Sequence, residues 1–255
     1  MIITDETTYL KCFFVTFFTF LEVKGLVYIT GDMHGDEDRL YDKQLRKLKS
    51  GDTLIICGDF GFIWDGSSRE TKILEELGSR KYNVCFLDGT HENFDKLYSY
   101  RQTVWKGGRV HRISGTLYHM CRGQVFNIEG VKYFTFGGGE SYDKEMRIER
   151  KTWWKEELPS PDEMMEGVEN LEEINGQVDV VLTHEPPLLV KSSMLMRMGK
   201  IDRVNKLNGY LEEINRSCKF KTWYFGSMHE DRVITPGHVS VFSEIWPIIP
   251  SEIGL

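Results

Sequence analysis

The chain has 255 residues, 40% hydrophobic, 28% charged and 13% aromatic, with a formal net charge of -7. That balance excludes a disordered or fibrous protein and disfavours a general nucleic-acid coat, which needs a basic surface to displace counterions from phosphates. The length suits one α/β domain with a full core, and five irregularly spaced cysteines (Cys12, Cys57, Cys85, Cys121, Cys218) give neither a disulfide framework nor a zinc knuckle, as expected for a reducing cytoplasm.

The first segment, "CFFVTFFTFLEV" at 12–23, is apolar but too short to span a bilayer, and no small-residue cleavage site follows it, so no membrane association is expected. Residues 1–25 read as an N-terminal extension with two readings. One is an extra strand or amphipathic cover. The other is that they are not translated, since the codons for Glu22 to Gly25 accommodate a purine-rich ribosome-binding site ahead of Leu26 as a TTG start. Residues 26–255 are then a single domain.

From residue 26 the pattern is regular. Strands are expected at 26–32, 52–59 and 83–89, with helices at 36–50, where Leu40, Leu45 and Leu48 recur, and at 67–82, which opens on serine. Strands alternating with helices imply a parallel sheet covered on both faces. Between Gly107 and Gly139, short runs with turn signals predict hairpins or a meander. A polar helix at about 160–175, a strand at 178–184, a helix at about 202–216, a strand at 221–225 and terminal strands over 232–246 complete the pass.

Each strand of the alternating part ends in a polar cluster: "GDMHG" (Asp32, His34), "GDFG" (Asp59), "DGTHEN" (Thr90, His91), "LTHEPP" (His184) and "GSMH" (Ser227, His229). Side chains at the carboxyl ends of strands in an open α/β sheet converge on one crevice. Two carboxylates with three or four imidazoles make a mixed N/O ligand set suited to Mn, Fe or Zn and too nitrogen-rich for Ca or Mg. His111, His119 and His238 lack this context and read as ordinary structural residues.

Taken in order, "GDMHG", "GDFG", "GTHE", "THEPP" and "GSMH" resemble the calcineurin-like metallophosphoesterase superfamily, whose pattern is GDxH, GDxxD or GD, GNH(E/D), a lone His and GHxH. The likeness runs over roughly 26–235. Within it, "GDFGFIWDG", "DGTHENFD", "GGRVHRI" and "GGGESYDKEMRIERKTWWKEELPS" resemble a bacterial and phage branch of metallophosphoesterases. The resemblance implies a four-layer α/β/β/α sandwich with a dinuclear metal centre between the sheets. It also implies hydrolysis of a phosphomonoester or phosphodiester by attack of a metal-bound hydroxide.

Carried over by residue, the resemblance has Asp32, His34 and His229 holding the first metal, Asp59 bridging both and His184 serving the second. His91 would be the general acid or phosphate-contacting histidine. Mn is the expected ion, with Fe or Zn as alternatives. The family places Asn where this chain has Thr90 and His where it has Ser227, and both positions serve the second metal. A hydroxyl is a poorer transition-metal ligand than an imidazole, so one tight site and a weak or absent second site are expected. The runner-up reading is a catalytically impaired scaffold that binds a phosphorylated ligand or a protein partner.

Four lesser features carry expectations. Trp153 and Trp154 read as buried cover rather than a base-stacking platform. Arg147, Arg150 and Lys151 read as a solvated face, with phosphate contact as the alternative. "GGG" at 137–139 reads as a tight strand exit. Asn93 and Asp95 read as partners that orient His91.

Overall fold

A computed structural model describes residues 25–200 and 203–249; the apolar run at 12–23, and with it both readings of the N-terminal extension, lies outside the described residues. The β-branched and aromatic runs form β1 (Val27–Thr30), β2 (Thr53–Ile56) and β3 (Asn83–Phe86), with α1 (Ser68–Gly78) between the last two. The three strands pair in parallel, which needs a crossover on each connection; α1 supplies the one between β2 and β3. α1 starts where the Ser67 side chain accepts the Glu70 backbone N–H.

The helix expected at 36–50 is instead two 3-10 turns, Glu37–Tyr41 and Leu45–Lys47. The chain leaves helical geometry at Asp42 (ψ 141), whose carboxylate accepts the Gln44 backbone N–H at 2.6 Å, so a local side-chain bond outcompetes the helix. Leu40, Leu45 and Leu48 are buried all the same.

Next come α2 (Phe94–Leu97), β4 (Gln102–Trp105), β5 (Gly108–Ser114), β6 (Leu117–Met120), β7 (Gln124–Ile128) and β8 (Val131–Phe136). The expected meander is divided: β4 to β6 complete the first sheet and β7 opens the second. The second half supplies α3 (Pro161–Glu173), β9 (Val180–Thr183), α4 (Leu188–Arg197), α5 (Lys206–Ser217), β10 (Thr222–Phe225), β11 (Arg232–Thr235), β12 (His238–Ser240) and β13 (Trp246–Ile248). Ser160 and Glu163 form a capping box at α3.

The sheets run β13-β1-β2-β3-β6-β5-β4 and β11-β12-β10-β9-β8-β7. Alternate residues of the strands face each other between the sheets, where Ile29, Ile55, Cys85, Phe126, Val180 and Leu182 share one apolar layer. Their neighbours in sequence point outward: Leu54, Ile56 and Phe86 meet Leu74 and Leu77 of α1, and Phe134, Val181 and Trp223 meet Leu207 and Leu211 of α5. The result is the expected four-layer α/β/β/α sandwich. Among the described residues no helix is long and apolar enough to cross a membrane.

Candidate metal centre

The loops after five strands meet at one end of the two sheets. Asp32 and His34 follow β1, Asp59 follows β2, Thr90 and His91 follow β3, His184 follows β9, and Ser227 and His229 follow β10. Asp32, Asp59 and His184 are buried. His34 (φ 51), Asp59 (φ 39) and His229 (φ 51) hold left-handed backbone that non-glycine residues avoid, a strain that persists where surrounding structure enforces it and that clusters at functional sites. The motif glycines have a steric cause: a Cβ on Gly226 would collide with the Asp32 carboxylate and one on Gly89 with that of Asp59.

All the predicted metal ligands come together. His229 Nε2 lies 2.9 Å from Asp32 Oδ2 and 3.1 Å from His34 Nε2. His34 also approaches Asp32 at 3.8 Å and Asp59 at 3.7 Å. His184 faces both carboxylates, with Nδ1 3.4 Å from Asp32 Oδ1 and Nε2 3.7 Å from Asp59 Oδ1. His91 Nδ1 sits 2.7 Å from Asp59 Oδ2, while the backbone N–H groups of Thr90 and His91 donate to Asp59 Oδ1 at 2.5 and 2.9 Å.

The electrostatics fit a divalent cation. Burial opposes ionisation of Asp59, yet the charge of His184 beside it, with His91 and His34, holds its carboxyl well below the usual range. Asp32 is likewise lowered against burial by His184 and His229. Burial would lower His184, but the two carboxylates push it up to about 10. Two buried anions therefore demand positive charge between them.

Donor atoms of Asp32, His34 and His229, of His34, Asp59 and His91, and of Asp32, Asp59 and His184 each lie within 4.8 Å of one another. Asp32 Oδ1 and Ser227 Oγ are buried without a hydrogen-bond partner, the condition of an atom placed for a ligand. Thr90 Oγ1 is 3.5 Å from both Asp59 oxygens and 3.1 Å from His91 Nδ1.

A cavity of about 270 Å³ opens over these groups, bounded on its far side by Glu140, Tyr142, Asp143 and Arg147. Arg147 departs from the expected solvated face. Its Nη2 is 3.5 Å from His91 Nε2, and Asp143 holds its Nε at 2.8 Å. Arg150 instead pairs outside the cavity with Asp95 at 2.5 Å and Glu156 at 2.9 Å. Lys151 is exposed.

The expectation that Asn93 and Asp95 orient His91 is not met. Asn93 caps α2 and donates to Trp64 O, and Asp95 accepts from the buried Trp154 indole at 2.8 Å. Trp154 is the expected cover, while Trp153 is half-buried.

Sequence reasoning missed Tyr142 and Arg39. Arg39 braces the centre from behind by donating to Asp32 O, to Thr30 Oγ1 at 3.0 Å and to Phe242 O at 2.5 Å. Its place in a run read as an ordinary helix gave no signal. His238 is structural as expected, bonded to Thr235 and Asn215.

A family model for the calcineurin-like phosphoesterase matches residues 25–237. The chain belongs to that family. Comparison with curated proteins gives no match. Membership accounts for the order of this phosphoesterase's strand-end clusters and for the apposed sheets that bring them together, and it supports metal-dependent phosphoester chemistry at the centre.

Proposed function

We propose that this calcineurin-like phosphoesterase hydrolyses a phosphomonoester or phosphodiester, with Asp32, His34 and His229 holding one cation, Asp59 shared between two positions, and His184 serving the second. The convergence of three donor sets on two buried carboxylates carries the reading. Mn is the preferred ion, with Fe or Zn as alternatives, because the donors mix imidazole nitrogen with carboxylate oxygen. Divalent cations bound there supply Lewis acidity toward phosphoryl oxygens and make water acidic enough to react near neutral pH.

The chain's own groups do the rest. Asp59 receives Nδ1–H of His91, which fixes the ring and turns Nε2 toward the cavity. Protonated at Nε2, His91 hands that proton to the leaving oxygen. Arg147, oriented by Asp143, offers its guanidinium N–H groups to phosphoryl oxygens on the same side. Burial of Asp32, Asp59 and His184 keeps bulk water from screening these charges.

A second reading, a scaffold that binds a phosphorylated ligand or protein without turnover, draws support from Thr90 and Ser227. Neither hydroxyl replaces an amide or imidazole ligand at full strength. Hydrolysis of a chromogenic phosphodiester and its monoester, with Mn²⁺ titrated into the natural chain and into Thr90→Asn/Ser227→His, separates the two. Turnover by the natural chain supports the enzyme, with the double variant reaching its maximum rate at lower Mn²⁺. Activity confined to the double variant supports the scaffold.

A further inference from the structure

A second cluster of donor atoms shares no residue with the centre described above. His111 on β5 and His119 on β6 are directly paired across the strands, so their side chains share a face, and Cys121, two residues beyond His119, returns to it. Nδ1 of His111 and Nδ1 of His119 are 3.0 Å apart, and Cys121 Sγ lies 3.7 Å from His111 Nδ1. All three donor atoms lie within 4.8 Å of one another, on side chains from buried residues. Zinc bonds of about 2.0–2.1 Å to imidazole nitrogen and about 2.3 Å to thiolate sulfur give tetrahedral edges of about 3.3 and about 3.6 Å. The His111–His119 and His111–Cys121 edges, at 3.0 and 3.7 Å, already stand close to those values.

The surroundings orient the donors. His119 Nε2 is 3.0 Å from Asp88 Oδ1, so its Nε2–H goes to the carboxylate and the Nδ1 lone pair faces inward. Arg122 in turn fixes Asp88, donating through Nε at 2.9 Å. His111 Nε2 is 3.3 Å from Gln102 Nε2; a half-turn of that amide, which exchanges its oxygen and nitrogen, places the Gln102 oxygen there to accept Nε2–H. A carboxylate or amide behind an imidazole is the arrangement that sets tautomer and direction in metal-binding histidines. Beside the three donors a cavity of about 280 Å³, walled by Gln102, Arg109 and Glu163, leaves room for a fourth ligand.

We propose that His111, His119 and Cys121 bind a zinc-type divalent ion, separate from the phosphoesterase centre, with the fourth position open to this cavity. On binding, the Cys121 thiol proton leaves to solvent, the His111 proton resides on Nε2, and no redox change occurs. The competing arrangement is a hydrogen-bonded imidazole pair, His111 Nδ1–H donating to His119 Nδ1, with Cys121 as inert packing. An ion here would sit behind Asp88, which leads directly into the loop of Thr90 and His91.

Cobalt(II) distinguishes the two, because the phosphoesterase centre has no thiolate. Metal-free full-length chain carrying Cys12→Ser, which removes the cysteine outside the described residues, is titrated with Co²⁺ and then Zn²⁺. The expected result is a near-ultraviolet thiolate-to-cobalt band that saturates with the intensity of one cobalt–thiolate bond per chain, whatever further Co²⁺ the phosphoesterase centre takes up, is displaced by Zn²⁺, persists in Asp59→Asn and is lost in Cys121→Ser. No such band, or a band that survives Cys121→Ser, overturns the proposal. Should Cys121→Ser fail to fold, zinc-edge X-ray absorption of the zinc-loaded Cys12→Ser chain decides. A sulfur neighbour at about 2.3 Å supports the site, and nitrogen and oxygen neighbours alone overturn it.

Discussion

Glu157 shows how one side chain near the cavity carries a cost that pH reveals. It is buried, its Oε2 accepts the Ser141 backbone N–H at 3.0 Å, and its Oε1 has no partner. Burial pushes its carboxyl up to about 7 against an ordinary 4.5. The folded chain therefore keeps a proton that the unfolded chain releases, so the contribution to stability is full below about 4.5, is lost as pH rises toward 7, and is level beyond. A shift of that size corresponds to about 3 kcal/mol. Glu157→Gln, uncharged throughout, is expected to flatten the fall in urea-unfolding free energy between pH 4.5 and 7 and to be more stable than the natural chain at pH 8. An unchanged slope would show that Glu157 stays ionised on folding. At this scale the types and spacing of the ligands were legible in the sequence, because Asp32, His34, Asp59, His184 and His229 each stand at a strand end. Arg39 carried no signal, and Arg147 read first as a solvated face with phosphate contact as the alternative, because both roles depend on where distant loops fold back.

The segment after β10 is positioned by a single carboxylate. Asp231 accepts from the backbone N–H groups of Phe242 and Ser243 at 2.8 Å and of Glu244 at 3.1 Å, and from the Ser243 hydroxyl at 2.8 Å. This ties the His229 loop to the connection between β12 and β13. Phe242, on that connection, stacks on the His229 ring at 4.8 Å. Asp231→Ala is expected to weaken first-site metal affinity about 10- to 100-fold, as loss of an orienting partner does. Calorimetric Mn²⁺ titration measures this, and unchanged affinity would mean that His229 is held by Asp32 alone. Elements were legible where local chemistry and burial agree, as at Ser67 and Ser160. The helix expected at 36–50 failed because Asp42 interrupts it. β4 was missed because Gln102, Thr103 and Val104 are exposed and offer no apolar alternation. α4 received no assignment although Val190, Met194 and Leu195 bury one face, since two prolines precede it and two serines interrupt its apolar run.

Across the whole molecule, the Arg122–Asp88 pair joins the end of β3 to the second half of the sandwich. Both side chains are buried, and Arg122 also donates to Glu156 O at 2.7 Å and reaches Glu163 of α3 at 3.3 Å. The charge beside it and the His119 bond hold the Asp88 carboxyl well below the usual range although burial opposes this. Arg122→Met strands Asp88 and is expected to cost about 3–5 kcal/mol in urea unfolding, whereas a surface pair would cost less than about 1 kcal/mol. The four-layer arrangement was legible through family resemblance; composition and periodicity alone reached only a covered parallel sheet, because the division of the 107–139 runs between two sheets is set by long-range pairing. The central claim is that the apposed sheets assemble a metal-dependent phosphoesterase centre around Asp32 and Asp59. Hydrolysis of a chromogenic phosphodiester by the metal-stripped full-length chain, with Mn²⁺ restored and Asp59→Asn alongside, tests it most directly. The account predicts saturable turnover that requires Mn²⁺ and is lost in Asp59→Asn; absence of turnover, or equal turnover in that variant, would contradict it.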